Sequence, residues 1–124
     1  MNEVNRSKLM TLTDELRHLN KEAEKMYVDI VKVDENYKPD FYGAVKPFAE
    51  KIDQIRSEWL PLAKQFVQQE KPLHLHPSQL QQTEENLEIV AIKTFYKGTG
   101  RKRQMETYKS VEYVLQQLSE ALKS

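Results

Sequence analysis

From Leu9 onward the apolar residues fall at Leu9, Leu12, Leu16, Leu19, Ala23, Met26, Ile30, Val33 and Tyr37, in alternating steps of three and four. That spacing draws one continuous stripe down a helix, and predicts a first helix over about residues 5–37. Lys38-Pro39-Asp40 breaks it, because a residue before proline is pushed out of the α region and Asp40 suits a new N-cap. A second stripe follows at Phe41, Val45, Phe48, Ile52, Ile55, Trp59, Leu62 and Phe66, predicting a helix over 40–70. Pro47 and Pro61 lie on the face away from this stripe, where kinks would bend the helix around a core. Alternatively, Pro47 starts a fresh helix at its favoured first position and leaves 40–45 as a separate short turn. The pattern does not choose between the two.

Residues 71–75 read as a connecting loop, and His76-Pro77-Ser78-Gln79 as a helix start with proline in the first turn and glutamine as a capping partner. The third helix, over 77–97, carries Leu80, Thr83, Leu87, Val90, Ala91, Thr94 and Phe95. Ile89, Ile92 and Tyr96 widen its apolar face beyond one stripe. Gly98-Thr99-Gly100 ends it, with Gly98 placed for a left-handed C-cap. A fourth helix over 101–122 puts Gln104, Tyr108, Val111, Leu115, Leu118 and Leu122 in phase. Four amphipathic helices joined by short loops predict a single all-α domain over 1–124, an antiparallel up-and-down four-helix bundle.

Composition narrows the function classes. Nineteen basic residues balance nineteen acidic ones, so no global field selects nucleic acid, a membrane surface or an acidic substrate. The chain has no cysteine, which excludes disulfides, thiolate nucleophiles and sulfur-ligated zinc, and fits a reducing compartment. No apolar stretch reaches the length of a signal peptide core or a membrane span. A cytoplasmic protein without membrane contact is the expectation.

Catalytic and metal chemistry find no foothold in the pattern. A di-metal carboxylate bundle needs Glu-x-x-His on two helices, and Glu15-Leu16-Arg17-His18 is the single copy, with His18 on the solvent side of the stripe. His74 and His76 form His-x-His in a loop, two ligands short of a structural zinc site, so His76 is read as the cap of the third helix. No serine stands in a nucleophile elbow, and Gly98-Thr99-Gly100 lacks the spacing of a phosphate loop. The expectation is no catalytic residue, no metal and no cofactor.

The landmarks together resemble the YppE-like family of small bacterial proteins. The resemblance rests on Phe41-Tyr42 followed by Val45-Lys46-Pro47, on Trp59, on Pro72 with His76 and Gln79, on Lys102-Arg103, and on Ser110-Val111-x-Tyr113-x-Leu115. It spans about 40–122, the first helix being similar only in being helical. It implies a four-helix up-and-down bundle and supplies neither an activity nor catalytic residues.

Two features stand out from the solvated background. Lys97, Arg101, Lys102 and Arg103 form a basic corner around the start of the fourth helix, where cations oppose the helix dipole. Ile89, Ile92 and Tyr96 form an apolar excess on the third. The apolar residues point to a protein partner or self-association, and this is the leading reading: a protein-interaction or structural bundle. The cations point to an anion or nucleic-acid partner, the alternative. Acids from neighbouring helices could also neutralise the corner, and ordinary core packing could absorb the apolar excess.

Overall fold

A computed structural model describes residues 1–98 and 100–124. It places α1 at Glu3–Met26, α2 at Lys46–Glu70, α3 at Pro77–Lys93 and α4 at Arg101–Lys123, with no strand among the described residues. α1 packs on α2 and α4, and α3 packs on the same two, so the helices form a ring in chain order, each antiparallel to the next. This is the antiparallel up-and-down bundle that the stripes predict.

Most of the stripe residues form the core, though Phe41 is exposed and Phe48 and Leu62 are only partly buried. Leu9, Leu12, Leu16, Leu19 and Ala23 of α1 are buried, as are Ile52, Ile55, Trp59 and Phe66 of α2. Leu80, Thr83, Leu87, Val90 and Ala91 of α3, with Thr94 and Phe95 just beyond it, are buried too. Trp59 is fully enclosed, and its Nε1–H donates to Thr13 Oγ1 at 3.1 Å. The Thr13 hydroxyl in turn donates to the Leu9 carbonyl at 2.7 Å, so this polar pair is satisfied inside the core. Pro47 and Pro61 are both on the exposed side of α2.

The first predicted helix runs too far. α1 ends at Met26 and passes into a π-helical turn, Tyr27–Val31, closed by the Lys32 N–H on the Tyr27 carbonyl at 3.0 Å. A π turn holds an extra residue, which shifts the phase of the stripe. Tyr27 and Val31 become the buried residues, while Ile30 and Val33 turn out to solvent at 44% and 63% exposure. The second helix is entered in the same way, through a π turn at Phe41–Val45 that runs directly into α2. Pro47 therefore sits in the first turn of α2, and α2 continues through Pro61 as one α-helix. The entry is pinned by Asp40, whose Oδ1 accepts from the Gly43 N–H at 2.9 Å. A Cβ at position 43 would collide with that same carboxylate, so a larger residue there would have to push the Asp40 side chain out of its cap.

α3 also stops short of its predicted end. After Lys93 the bonds become i to i+3, Phe95 N–H to the Ile92 carbonyl at 3.3 Å and Tyr96 N–H to the Lys93 carbonyl at 3.2 Å. Gly98 does not take the left-handed conformation expected of it, and Thr99 lies outside the described residues. The residue that does end a helix in that conformation is Lys71, with φ 47°, after α2.

Three arginines tie the helices at half-buried sites. Arg17 of α1 grips Glu112 of α4 at 2.6 and 3.1 Å. Arg56 of α2 holds Glu84 of α3 at 2.8 Å, with Asp53 and Glu88 beside it. Arg6 donates to the Leu122 carbonyl at 2.9 Å and so caps the end of α4. At the opposite end of the bundle the two connecting segments are laced together. Tyr37 Oη donates to the Phe95 carbonyl at 3.0 Å, Lys32 Nζ to the Lys97 carbonyl at 3.1 Å, and Lys97 Nζ to the Asp34 carbonyl at 2.6 Å.

Trp59→Ala is expected to cost roughly 3–5 kcal/mol, because a fully packed indole and its hydrogen bond are lost together. Chemical denaturation checks the cost, and the native emission of Trp59 is expected to be blue-shifted.

Candidate functional site

Ile89, Ile92, Lys93 and Tyr96 follow one another at i, i+3, i+4 and i+7, and form one side of a groove at the α3–α4 end of the bundle. Gly100, Arg103, Gln104 and Thr107 have the same spacing and form the other. Ile89, Ile92 and Lys93 share a face of α3, with Tyr96 just past its end, and Arg103, Gln104 and Thr107 share one of α4 behind Gly100, so the groove is the valley between these two helix ends. Its volume is about 600 Å³, within the usual range of ligand-sized clefts. The two features read separately from the sequence, the apolar excess and the basic corner, meet here.

The apolar side is open to solvent. Ile89, Ile92 and Tyr96 are 37%, 47% and 38% exposed, too much for core residues. The core face of α3 is already filled by Leu80, Leu87, Val90 and Ala91, so the extra apolar positions can only face outward. Both charged residues of the lining, Lys93 and Arg103, are cations, and no acid stands among the lining residues.

The basic corner divides. Arg103 belongs to the groove wall, while Lys97 is drawn away to the Asp34 carbonyl and acts as a fastening between connecting segments. Arg101 stands near enough to Tyr27 for its charge to oppose the upward shift that burial gives the Tyr27 hydroxyl pKa. Among the described residues no ion pair involves Lys97, Arg101, Lys102 or Arg103. Of the two nearest acids in sequence, Glu88 is within 3.8 Å of Arg56 and is thus engaged elsewhere. The first turn of α4 contains no acid at all.

Behind the groove wall lies a chain of buried polar groups. The Tyr108 hydroxyl shares a hydrogen bond with Thr94 Oγ1 at 2.7 Å and accepts from Gln104 Nε2 at 3.0 Å. Gln104 is wholly buried, and its Oε1 has no hydrogen-bond partner. An acceptor left so costs about 1–3 kcal/mol. Asn20 is comparable: its Nδ2 donates to the Tyr108 carbonyl at 3.0 Å and its Oδ1 is unpartnered. Burial pushes the Tyr108 hydroxyl up to about 12, although its bonds to Thr94 and Gln104 pull the other way. The sequence signal for Gln104 and Thr94 was their polarity at core phase, and Lys93 and Thr107 carried no signal of their own.

The other candidates do not assemble. Glu15 and His18 are exposed, and His18 Nε2 pairs instead with Glu22 at 2.9 Å, one turn along α1. His74 and His76 are both exposed; the His76 backbone N–H donates to Gln79 Oε1 at 2.7 Å, the glutamine half of a capping box. Among the described residues no three His, Asp or Glu side chains stand close enough to hold a metal ion. A depression at the other end of the bundle, about 740 Å³, is larger than the groove. It is formed around the two chain ends and Arg6, which is already bonded to Glu70, Leu122 and Ser124. No helix among the described residues is long and apolar enough to cross a membrane.

Residues 13–122 match the family described as a bacterial domain of unknown function, DUF1798. The chain belongs to this family. The match takes in most of α1, which by its residues alone was similar only in being helical. Solved structures agree on the fold. A protein of unknown function from Listeria innocua is 28% identical, with a TM-score of 0.86 over 97% of this chain and 94% of that one. Protein yppE from Bacillus subtilis is 19% identical, with a TM-score of 0.86 over 94% of each chain. A DUF1798 domain of unknown function from Staphylococcus aureus is 22% identical, with a TM-score of 0.72 over 98% of each. No curated protein matches the chain. The family is thus one whose function is unknown, and the likeness carries the fold rather than an activity.

Two outcomes are expected from these groups. The double change Lys102→Glu and Arg103→Glu replaces unpaired cations at a helix N-terminus with anions that suit the dipole, at about 0.3–1 kcal/mol for each exposed site. Thermal unfolding should show the variant slightly more stable than the parent chain. For Tyr108, the folded hydroxyl titrates near 12 and the unfolded one near 10. Its contribution to stability is therefore complete below pH 10 and lost as pH rises toward 12, on the order of 2–3 kcal/mol. Tyr27 and Tyr37, also raised by burial, add loss of the same sign. Denaturation between pH 8 and 12 should show a steep fall that Tyr108→Phe makes shallower.

Proposed function

We propose that this chain is a protein-interaction module that docks an apolar, acidic segment of a partner protein in the groove between the faces of Ile89, Ile92 and Tyr96 and of Arg103 and Gln104. One observation carries the reading. Outward-facing apolar residues and unpaired cations share one groove, with no acid among its lining residues. An amphipathic segment laid into such a valley buries the isoleucines and meets Lys93 and Arg103 with its own carboxylates. Nucleic acid suits the groove less well, since one of its two sides is largely aliphatic and aromatic and phosphate seeks donors. Self-association is also disfavoured. A symmetric dimer would set the same patch against itself, bringing cation to cation. A cytoplasmic setting belongs to this reading, and the absence of cysteine suits it.

Ile92→Lys is the expected loss-of-docking variant. Ile92 is half exposed, so the variant should stay folded, within about 0.5 kcal/mol of the parent. Crosslinking in cells of the source bacterium, followed by mass spectrometry, should identify a partner segment rich in Asp or Glu and apolar residues. As a synthetic peptide, that segment should bind the parent chain and not the variant. Ile30→Lys, at an exposed site far along the chain on the π turn, should leave binding intact. A partner that binds the Ile92→Lys variant as well as the parent would place docking elsewhere.

A further inference from the structure

The walls of the groove constrain the shape of the segment that docks there. Along α3 the lining runs from Ile89 to Tyr96, and along α4 from Gly100 to Thr107. Seven helical residues rise about 10 Å, so the valley is about two turns long. Over that length an extended chain, at about 3.3 Å per residue, lays down about three residues, and alternation turns only one or two of them inward. A helix of the same length offers the residues at i, i+3, i+4 and i+7 to one side.

The placement of charge asks for more than one row of side chains. A cation stands on each wall, Lys93 on α3 and Arg103 on α4, with Ile89, Ile92 and Tyr96 exposed beside them. The complement is an apolar stripe with acids on both flanks. One face of a strand is a single row, whereas a helix presents a stripe and its two flanks together. Backbone pairing does not favour an extended chain either. The Ile92 and Lys93 carbonyls at the end of α3 accept from the Phe95 and Tyr96 N–H groups. The Phe95 and Lys97 carbonyls are taken by Tyr37 and Lys32. Strand addition needs a free edge of such groups, and these four are in use.

We infer that the docked segment is an α-helix of at least about two turns, with acidic residues on both flanks of an apolar stripe. The inference rests on the docking reading and adds the form in which the partner binds. The helix lies in the valley as a further member of the bundle, packing on α3 and α4 as these pack on each other. Its stripe covers Ile89, Ile92 and Tyr96, and its carboxylates meet Lys93 on one side and Arg103 on the other. The loop end of the valley is open, since a Cβ added at Gly98 or Gly100 would meet nothing within 4 Å, so a longer helix can run out past it.

The test uses two fluorescent peptides of one composition, built from leucine, phenylalanine, glutamate and alanine, with binding read by anisotropy. The first spans about three heptads, long enough to form a helix, with apolar residues at a and d and glutamates at e and g. The second alternates apolar and polar residues. The parent chain should bind the heptad peptide at least about tenfold more tightly, and a proline in place of its central alanine should cancel that advantage. Ile92→Lys should lose binding of the heptad peptide. Arg103→Glu, at a site without an ion pair to break, should weaken it several-fold and flatten its salt dependence. Equal binding of the two peptides by the parent chain, or tighter binding of the alternating one, would overturn the helical form and leave the docking reading standing. Binding of neither peptide, or undiminished binding of the heptad peptide by Ile92→Lys, would overturn both.

Discussion

The Tyr108 hydroxyl, held between Thr94 and Gln104 in the interior, is the point on which this end of the bundle is built. Its ring meets Tyr27 edge-on at 6.0 Å, and its backbone carbonyl accepts from Asn20, so α4 is joined there to α1 as well as to the end of α3. Leucines can slide past one another at little cost, whereas a buried hydroxyl must meet its partners or lose their hydrogen bonds outright. That requirement fixes the height and rotation of α4 against α3. The connecting segments then lock over the top through Tyr37, Lys32 and Lys97.

The groove follows from the same register. With Thr94 and Phe95 turned inward, Ile92, Lys93 and Tyr96 must turn outward, because one helical face cannot hold the whole apolar run. With Gln104 and Tyr108 turned inward, Arg103 is left at the border of the two helices. One cost falls at this place: cations at a helix N-terminus without acids. Elsewhere charges that cross between helices are matched, as at Arg17 with Glu112 and Arg56 with Glu84. A surface where exposed apolar residues stand beside unpaired cations is the natural place for a second molecule.

Much of the fold was legible because helical periodicity is local. Leu9 to Ala23 and Ile52 to Phe66 could be assigned to the core from spacing alone, and Trp59 is buried where its phase put it. The errors cluster where the backbone leaves the α form. The π turn at Tyr27–Val31 inserts a residue into the turn, so Ile30 and Val33, in phase for an α-helix, face solvent. No residue type marks such a turn in advance. The candidate site was legible only in pieces. Ile89, Ile92 and Tyr96 were visible as an excess and Arg103 as a cation, but their sharing of one groove depends on how α3 meets α4. The same holds for Lys97, counted with the corner until the Asp34 carbonyl is seen to claim it.

The central claim is that the groove between α3 and α4 is the docking surface, and residue-resolved NMR tests it most directly. A ¹⁵N-labelled chain titrated with a peptide of acidic and aromatic residues should show saturable shift changes at Ile89, Ile92, Lys93, Tyr96, Arg103, Gln104 and Thr107. The amides around Arg6, Phe66 and Glu70 at the opposite end should stay in place. Changes centred on that opposite end, or none at saturating peptide, would contradict the account.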